Sequence, residues 1–255
     1  MKKLSLGILA FCMLAASAPV FAADLALPVK APPLIPYDPW NGWYIGANVG
    51  GSFGMARDSA TAAGIAFTST NTNFNGVIGG AQAGYNWHVN PLWLLGIEAD
   101  IQGSSEQSTG TASQTRTFGV IAVFPTTGTL ADNEKLPWFG TVRGRIGITP
   151  QPGWLVYATG GLAYGGINSN ETLTVGALAV GNNSTVTRAG WTAGGGVEAI
   201  VATNWSVKVE YLYMDFGTFN TTFTGAGVFT PIVLSTRLTD NIVRVGFNYH
   251  FPPRW

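Results

Sequence analysis

Charged side chains are scarce in this chain, and several of them recur at alternate positions within apolar runs. Only 10% of the 255 residues are charged, with 13 basic and 13 acidic side chains and two histidines. One set of both signs shares this alternating placement: Glu98, Asp100, Arg143, Arg145, Glu198, Lys208, Glu210 and Arg244. If the runs that carry them lie side by side, these groups can form ion pairs.

Two kinds of chemistry fit such a set. Buried charges of opposite sign can neutralise one another in a structural network, since an unpaired buried charge is costly. Alternatively, the charges can line a constriction that passes small solutes. We expect the structural network. If the turn near 202–204 has three residues, Glu198 faces Lys208 across a hairpin.

Signals for catalysis or for a metal are weak. Neither His88 nor His250 has a nucleophile two residues further on. The strand containing Trp43 would separate the two histidines, so a shared metal site is unsupported. The glycine runs, such as 194–196, do not open helices and are not phosphate loops. We therefore predict no enzyme activity, no cofactor and no metal.

Strands must position these charges, and the clearest strand is the last one, 241–251. Side chains on a strand point to opposite faces with a period of two. One face carries Val243, Val245, Phe247, Tyr249 and Phe251, and the other carries Arg244, Gly246, Asn248 and His250. The apolar face could fill a soluble core, or it could face lipid in a membrane barrel.

Seven further runs repeat this alternation. They begin near Trp43, Val77, Trp93, Pro137, Trp154, Arg188 and Trp205. Three connections are a few residues long, whereas 54–73, 103–136, 168–187 and 217–240 are long. Short turns on one rim and long loops on the other are typical of outer-membrane barrels. We predict an all-β fold: an eight-stranded antiparallel transmembrane β-barrel over 42–251, with long extracellular loops and short periplasmic turns.

Aromatic residues on the apolar faces support the membrane interpretation. Most of the following cluster beside the short turns: Trp87, Trp93, Trp138, Trp154, Trp205, Tyr249 and Phe251. Amphipathic rings favour the membrane interface, so these residues are predicted to form an aromatic girdle. A secreted lipocalin-like binder would instead need an apolar interior and a polar exterior.

Segments outside the barrel have distinct compositions. Residues 1–22 resemble a signal peptide, with Lys2 and Lys3 before a short apolar region, and no later run is long enough for a transmembrane helix. Cleavage would leave 11 basic residues against 13 acidic ones, which does not suggest nucleic-acid binding. Residues 23–41 hold five prolines and are predicted to be a periplasmic arm. Residues 252–255 form a short tail.

The long connections are mostly uncharged Thr, Ser, Asn and Gly, with apolar patches at 120–124 and 228–234. These two patches are β-prone and could extend the strands above the membrane as hairpins, and this is the outcome we expect. They could equally contact a ligand or a partner at the cell surface.

Four segments carry a family resemblance: Gly42–Gly46, Tyr157–Gly165, Val209–Tyr213 and 241–251. In order and spacing they resemble the small outer-membrane β-barrel surface proteins of alphaproteobacteria. These are porin-like surface antigens related in architecture to the transmembrane domain of outer-membrane protein A. Family members usually end on the aromatic residue of the last strand, whereas here the tail follows Phe251.

The resemblance implies an integral protein of the Gram-negative outer membrane, exported by its signal peptide. Its expected role is structural, in envelope integrity, and surface-exposed, as an antigen or in recognition. A narrow porin-like channel and surface binding of a ligand such as haemin are the alternatives. The expected partners are outer-membrane lipid, lipopolysaccharide and the barrel-assembly machinery, which would bind the last strand. The sequence does not indicate whether the protein is a monomer or an oligomer.

Overall fold

The computed structural model describes residues 38–62, 65–108, 114–118, 126–175, 178–223 and 232–252. The predicted signal peptide, residues 23–37 of the predicted arm and residues 253–255 lie outside these ranges. Asp38–Trp255 is one compact unit. The described residues include no helix that is long and apolar enough to cross a membrane.

Antiparallel strands make up almost all of the described chain. They are β1 (Gly42–Ala62), β2 (Ile65–His88), β3 (Trp93–Ser108), β4 (Gln114–Phe118), β5 (Thr126–Gln151), β6 (Trp154–Val175), β7 (Leu178–Ala202), β8 (Trp205–Phe223) and β9 (Ile232–His250). The sheet order is β3-β2-β1-β9-β8-β7-β6-β5-β4, and β3 also pairs with β5. This last pairing closes the sheet. The predicted eight-stranded antiparallel barrel is confirmed, and β4 is a short addition that pairs with the start of β5.

The two faces of the wall differ in the way that alternation predicts. On β1 the side chains of Val49 and Phe53 are 59% and 55% exposed, whereas Tyr44, on the opposite face of the same strand, is fully buried. On β9 Val245 points outward and Asn248 points inward. The exterior is thus a continuous apolar surface, which water would solvate poorly and lipid solvates well. This arrangement is the reverse of the lipocalin-like alternative, which is therefore excluded.

The three short turns have defined local chemistry. Between β2 and β3, the side-chain oxygen of Asn90 accepts hydrogen bonds from the backbone N–H groups of Leu92 and Trp93, at 2.9 and 2.8 Å. Between β5 and β6, Gly153 adopts a positive φ of 82°. Between β7 and β8, Asn204 adopts a φ of 65°, which asparagine tolerates better than most residues.

In two of the four long connections the strands continue and leave few residues between them. β1 and β2 are paired as far as Ala62 and Ile65, which leaves only residues 63–64 between them. β6 and β7 are likewise paired up to Val175 and Leu178. Thr and Asn residues on both faces remove the apolar–polar alternation from these segments, but the backbone N–H and C=O groups still form hydrogen bonds between the strands. The patch at 120–124 lies outside the described residues, and β9 includes only the end of the patch at 228–234.

Glycines on the two faces predict opposite responses to substitution. A Cβ at Gly46, on the inner face, would lie 2.3 Å from the backbone oxygen of Phe247, whereas one at Gly103, on the outer face, meets nothing nearer than 3.8 Å. Gly46→Ala should lower the free energy of unfolding by about 1–3 kcal/mol. Gly103→Ala should leave it nearly unchanged. Urea unfolding in detergent micelles, followed by tryptophan fluorescence, measures both, and equal stabilities would contradict the assigned faces.

Candidate functional site

The predicted charge set lies together inside the barrel. β3 contributes Glu98 and Asp100, β5 Arg143 and Arg145, β7 Glu198, β8 Lys208 and Glu210, and β9 Arg244. All eight are at most 5% exposed. Each stands at an inward position of its strand, and the pairing registers bring five strands to one level. The site is therefore built from distant parts of the chain.

Arg143 is the centre of this cluster. Its guanidinium contacts three carboxylates: Glu98, Asp100 at 3.0 Å and Glu210 at 3.0 Å. Its Nε also donates to the hydroxyl of Thr141 at 2.9 Å. The five N–H groups of one planar guanidinium suit such shared contacts. A lysine at this position would leave carboxylate oxygens unpaired.

Two further cations complete the centre. The Nζ of Lys208 lies 2.8 Å from both carboxylate oxygens of Glu98. Arg244 donates from Nε to Glu210 at 2.7 Å and from Nη2 to Asp100 at 2.9 Å. Glu198 does stand opposite Lys208 across the β7–β8 hairpin. The Lys208 ammonium nevertheless reaches across the lumen to Glu98.

Arg145 connects the cluster to the periplasmic side. Its Nη2 donates to Glu198 at 2.8 Å, and its Nη1 donates to the hydroxyl of Tyr44 at 2.9 Å. The guanidinium also lies over the ring of Tyr157, 4.0 Å from the centroid. Buried arginine over an aromatic face gains cation–π attraction. Tyr44 donates in turn to Glu98 at 2.7 Å.

The cluster is electrically balanced, with four carboxylates against three guanidiniums and one ammonium. An eight-stranded barrel is only wide enough for its side chains to fill it. Mutual contacts at 2.8–3.0 Å across the lumen leave no open path at this level. The lumen is closed by ion pairs.

A second layer closes the periplasmic end. Trp40 is 3% exposed and packs with Leu94, Leu155 and Tyr157. Its ring meets that of His250 edge-on at 5.6 Å. The preceding Asp38 accepts a hydrogen bond from the backbone N–H of Trp40 and contacts the ring of His88. The last residues of the predicted arm thus fill the mouth of the barrel.

A third layer is apolar and lies on the extracellular side. Its members are Ala56, Phe74, Ile78, Leu136, Phe139, Ala163, Ile167, Leu212, Met214, Phe216, Leu238 and Ile242. A void between Phe74, Leu136 and Leu238 measures about 10 Å³, too small for more than one water. Two buried carboxylates border this layer: Asp240, which accepts from Ser52 at 2.6 Å, and Glu106, whose backbone N–H donates to the Ser104 hydroxyl at 3.0 Å.

The predicted girdle residues lie outward, at two levels. Six of them are beside the short turns: Trp87, Trp93, Trp154, Trp205, Tyr249 and Phe251. Trp138 is the exception, because it pairs with Gly103 and Gly166 near the opposite rim. Its ring contacts that of Tyr164 at 6.2 Å, and Trp191 contacts Tyr213 at 5.4 Å on the same rim. Trp138 lies at this second level because its run starts at the extracellular end of the barrel.

His250 lies beside Ser206 and Glu198 near the short-turn end of the lumen. His250 Nε2 lies 2.9 Å from the Ser206 hydroxyl and 3.5 Å from Glu198. In a serine hydrolase the acid holds the other ring nitrogen, whereas here serine and glutamate share one nitrogen. Ser206 donates to Glu198 at 2.5 Å and is fully buried. No group of three metal-ligating residues occurs in the described part of the chain.

Sequence reasoning missed Trp40, Tyr44, Tyr157 and the extracellular apolar layer. Trp40 lies among prolines, with no alternation to mark its direction. Tyr44 and Tyr157 lie on the polar face of their strands. Their position in the alternation was the one signal that they point into the lumen. Leu136, Leu238 and their neighbours fall within segments that the sequence assigned to loops.

This geometry defines a class: an integral barrel with a lipid-facing exterior and a lumen filled by ion pairs. Residues 8–251 match the family described as "Outer membrane protein beta-barrel domain". The chain belongs to this family, and it is a protein of the outer membrane, in contact with its lipid and lipopolysaccharide.

Similar proteins agree with this assignment. The 31 kDa outer-membrane immunogenic protein of Brucella melitensis is 35% identical, over 94% of this chain and 95% of its own. The 22 kDa outer membrane protein of Rhizobium leguminosarum is 30% identical, over 72% and 68% of the two chains. The outer membrane protease OmpT from Escherichia coli is 12% identical with a TM-score of 0.51, covering 83% and 97%, and shows the fold alone.

Removing two central cations tests whether the cluster is structural. Arg143→Gln with Arg145→Gln leaves the four carboxylates facing two cations, so the free energy of unfolding should fall by at least about 3–5 kcal/mol. Urea unfolding in micelles measures this change. Arg57→Gln with Lys135→Gln removes the same charge outside the cluster and should have little effect. The central variant should not conduct; a clear rise in its single-channel conductance would contradict a structural role.

Proposed function

We propose that this protein is a closed structural barrel of the outer membrane, which contributes to envelope integrity and presents its extracellular strand extensions at the cell surface. The observation that carries the proposal is the threefold closure of the lumen. A tryptophan layer, a neutral ion-pair cluster and an apolar layer follow one another along its axis. Solute flow would require the rearrangement of all three.

The surface role is that of an antigen or a recognition element. The strands continue on the extracellular side well beyond the outward-facing aromatic residues. β1, for example, continues for nine residues after Phe53. The Brucella relatives are named as outer-membrane immunogenic proteins, which supports exposure of the corresponding surface. The proposed role requires no catalysis. The Ser206–His250 contact is consistent with this, because both groups are buried below the lumen cluster.

Assembly is proposed to proceed through the last strand. β9 presents Val243, Val245 and Phe247 outward, and Phe251 follows it; each of the four is more than 40% exposed. Such a strand offers an apolar face and an unpaired edge to the barrel-assembly machinery before it pairs with β1. Phe251 donates its backbone N–H to Trp43 at 2.9 Å in the folded barrel, so it marks the end of the wall.

Conductance decides between a closed barrel and a narrow channel. Purified protein in planar bilayers should show no discrete steps at neutral pH, with a known porin in the same bilayers as the positive control. Trp40→Ala should also remain closed, because the ion-pair layer persists. It should nevertheless lower the free energy of unfolding by about 3–5 kcal/mol. Trp43→Ala, on the outer face of the neighbouring wall, is the matched control. Regular steps from the wild-type protein would favour the channel.

A further inference from the structure

Two arginines face each other on the outside of the barrel wall. Arg57 on β1 and Arg237 on β9 are directly paired in register. Both are exposed, whereas Ala56 and Leu238, beside them in the chain, are 2% exposed and lie inside. The side chains of the two arginines therefore project from the same outward face. Side chains directly opposite in an antiparallel pair lie about 5 Å apart at Cβ, and like charges there are destabilising.

Charge compensation within the described residues is incomplete. Asp215 accepts a hydrogen bond from Arg237 at 2.6 Å, yet half of the Arg237 side chain remains exposed. Arg57 has no ion pair or side-chain hydrogen bond to any part of the chain that the structure describes. The three groups together carry a net positive charge. An external anion would relieve the repulsion between the arginines.

The height of the pair on the barrel fits the headgroup region. On the outer face, the last strongly exposed apolar side chain is Phe53 on β1, followed by the partly exposed Met55, and Val243 on β9. Arg57 is four residues beyond Phe53, and Arg237 is six residues beyond Val243. For tilted strands this separation is roughly 10–15 Å toward the extracellular side. An arginine side chain can extend back toward the membrane from there.

Polar neighbours extend the pair into a row across four strands. Arg57 pairs with Asn71 on β2, and Arg237 pairs with Thr218 on β8. Both neighbours are exposed. The row Asn71, Arg57, Arg237 and Thr218 thus offers amide, guanidinium and hydroxyl donors at strand spacing, about 4.8 Å apart. Planar guanidinium groups match phosphate oxygens in a bidentate manner.

We propose that this row binds a phosphate group of an outer-leaflet glycolipid, namely the phosphorylated lipid A part of lipopolysaccharide. The position above the apolar band selects a lipid phosphate over a soluble one, because the acyl chains can pack on the wall below. The site is independent of whether the lumen conducts, so it goes beyond the proposed structural role.

Native mass spectrometry of the full chain in detergent micelles tests this site, with diphosphoryl lipid A as the probe. Arg57→Gln with Arg237→Gln should weaken lipid A binding by roughly tenfold or more, since each arginine contributes charged hydrogen bonds. Arg188→Gln is the matched control. Its guanidinium lies 5.0 Å from the Phe219 ring, which packs against the apolar layer inside the barrel, so Arg188 is on the opposite face of the wall from the row and its loss should leave binding unchanged. Heat-dependent gel mobility verifies that each variant is folded.

Two further binding experiments identify the ligand. Dephosphorylated lipid A should bind the wild type as weakly as lipid A binds the double variant. Inorganic phosphate at millimolar concentration should not displace lipid A. Equal binding by the folded wild type and double variant, or by the phosphorylated and dephosphorylated lipids, would overturn the proposal. Displacement by inorganic phosphate would overturn the lipid assignment.

Discussion

The whole structure depends on charge balance in a lumen that has no room for bulk water. Eight ionised groups inside a narrow barrel are tolerable only if each contacts an opposite charge and retains further hydrogen bonds. Arg143 meets this demand by bridging carboxylates that come from β3 and β8. Because these contacts join strands on opposite sides of the barrel, they favour one register, and a slip by one residue would turn the charges toward lipid.

The layers on either side of the cluster follow from the same constraint. A charged network exposed to water at both ends would be screened and weakened. Trp40 and the extracellular apolar layer isolate it, so its contacts act in a medium of lower polarity. Inward glycines leave the space that these large side chains occupy. At Gly84, for example, an added Cβ would lie 2.3 Å from the hydroxyl oxygen of Tyr44.

Alternation was sufficient to predict the fold, the outward and inward faces and the members of the charge cluster, because side-chain direction in a strand is a local property. It could not predict which charged side chains form ion pairs with one another. Lys208 faces Glu198 on the neighbouring strand but binds Glu98 across the lumen, a choice made by side-chain reach in three dimensions. Trp40 was missed for a related reason, since irregular backbone has no periodicity from which to infer a direction. The ends of the strand extensions could not be predicted, because Thr and Asn on both faces remove the apolar signal while the backbone pairing continues.

The same arrangement separates stability from surface recognition. The ion pairs of the lumen cluster lie between the two apolar layers, and none reaches the extensions of β1, β2, β6 or β7 beyond the outer aromatic level. Backbone pairing holds those extensions, and it depends little on which side chains they carry. The arginine row on β1 and β9, which we propose binds phosphate, lies on the outer wall and does not disturb the interior. Recognition in this barrel is a property of its exterior, and the lumen serves to keep that exterior in one shape.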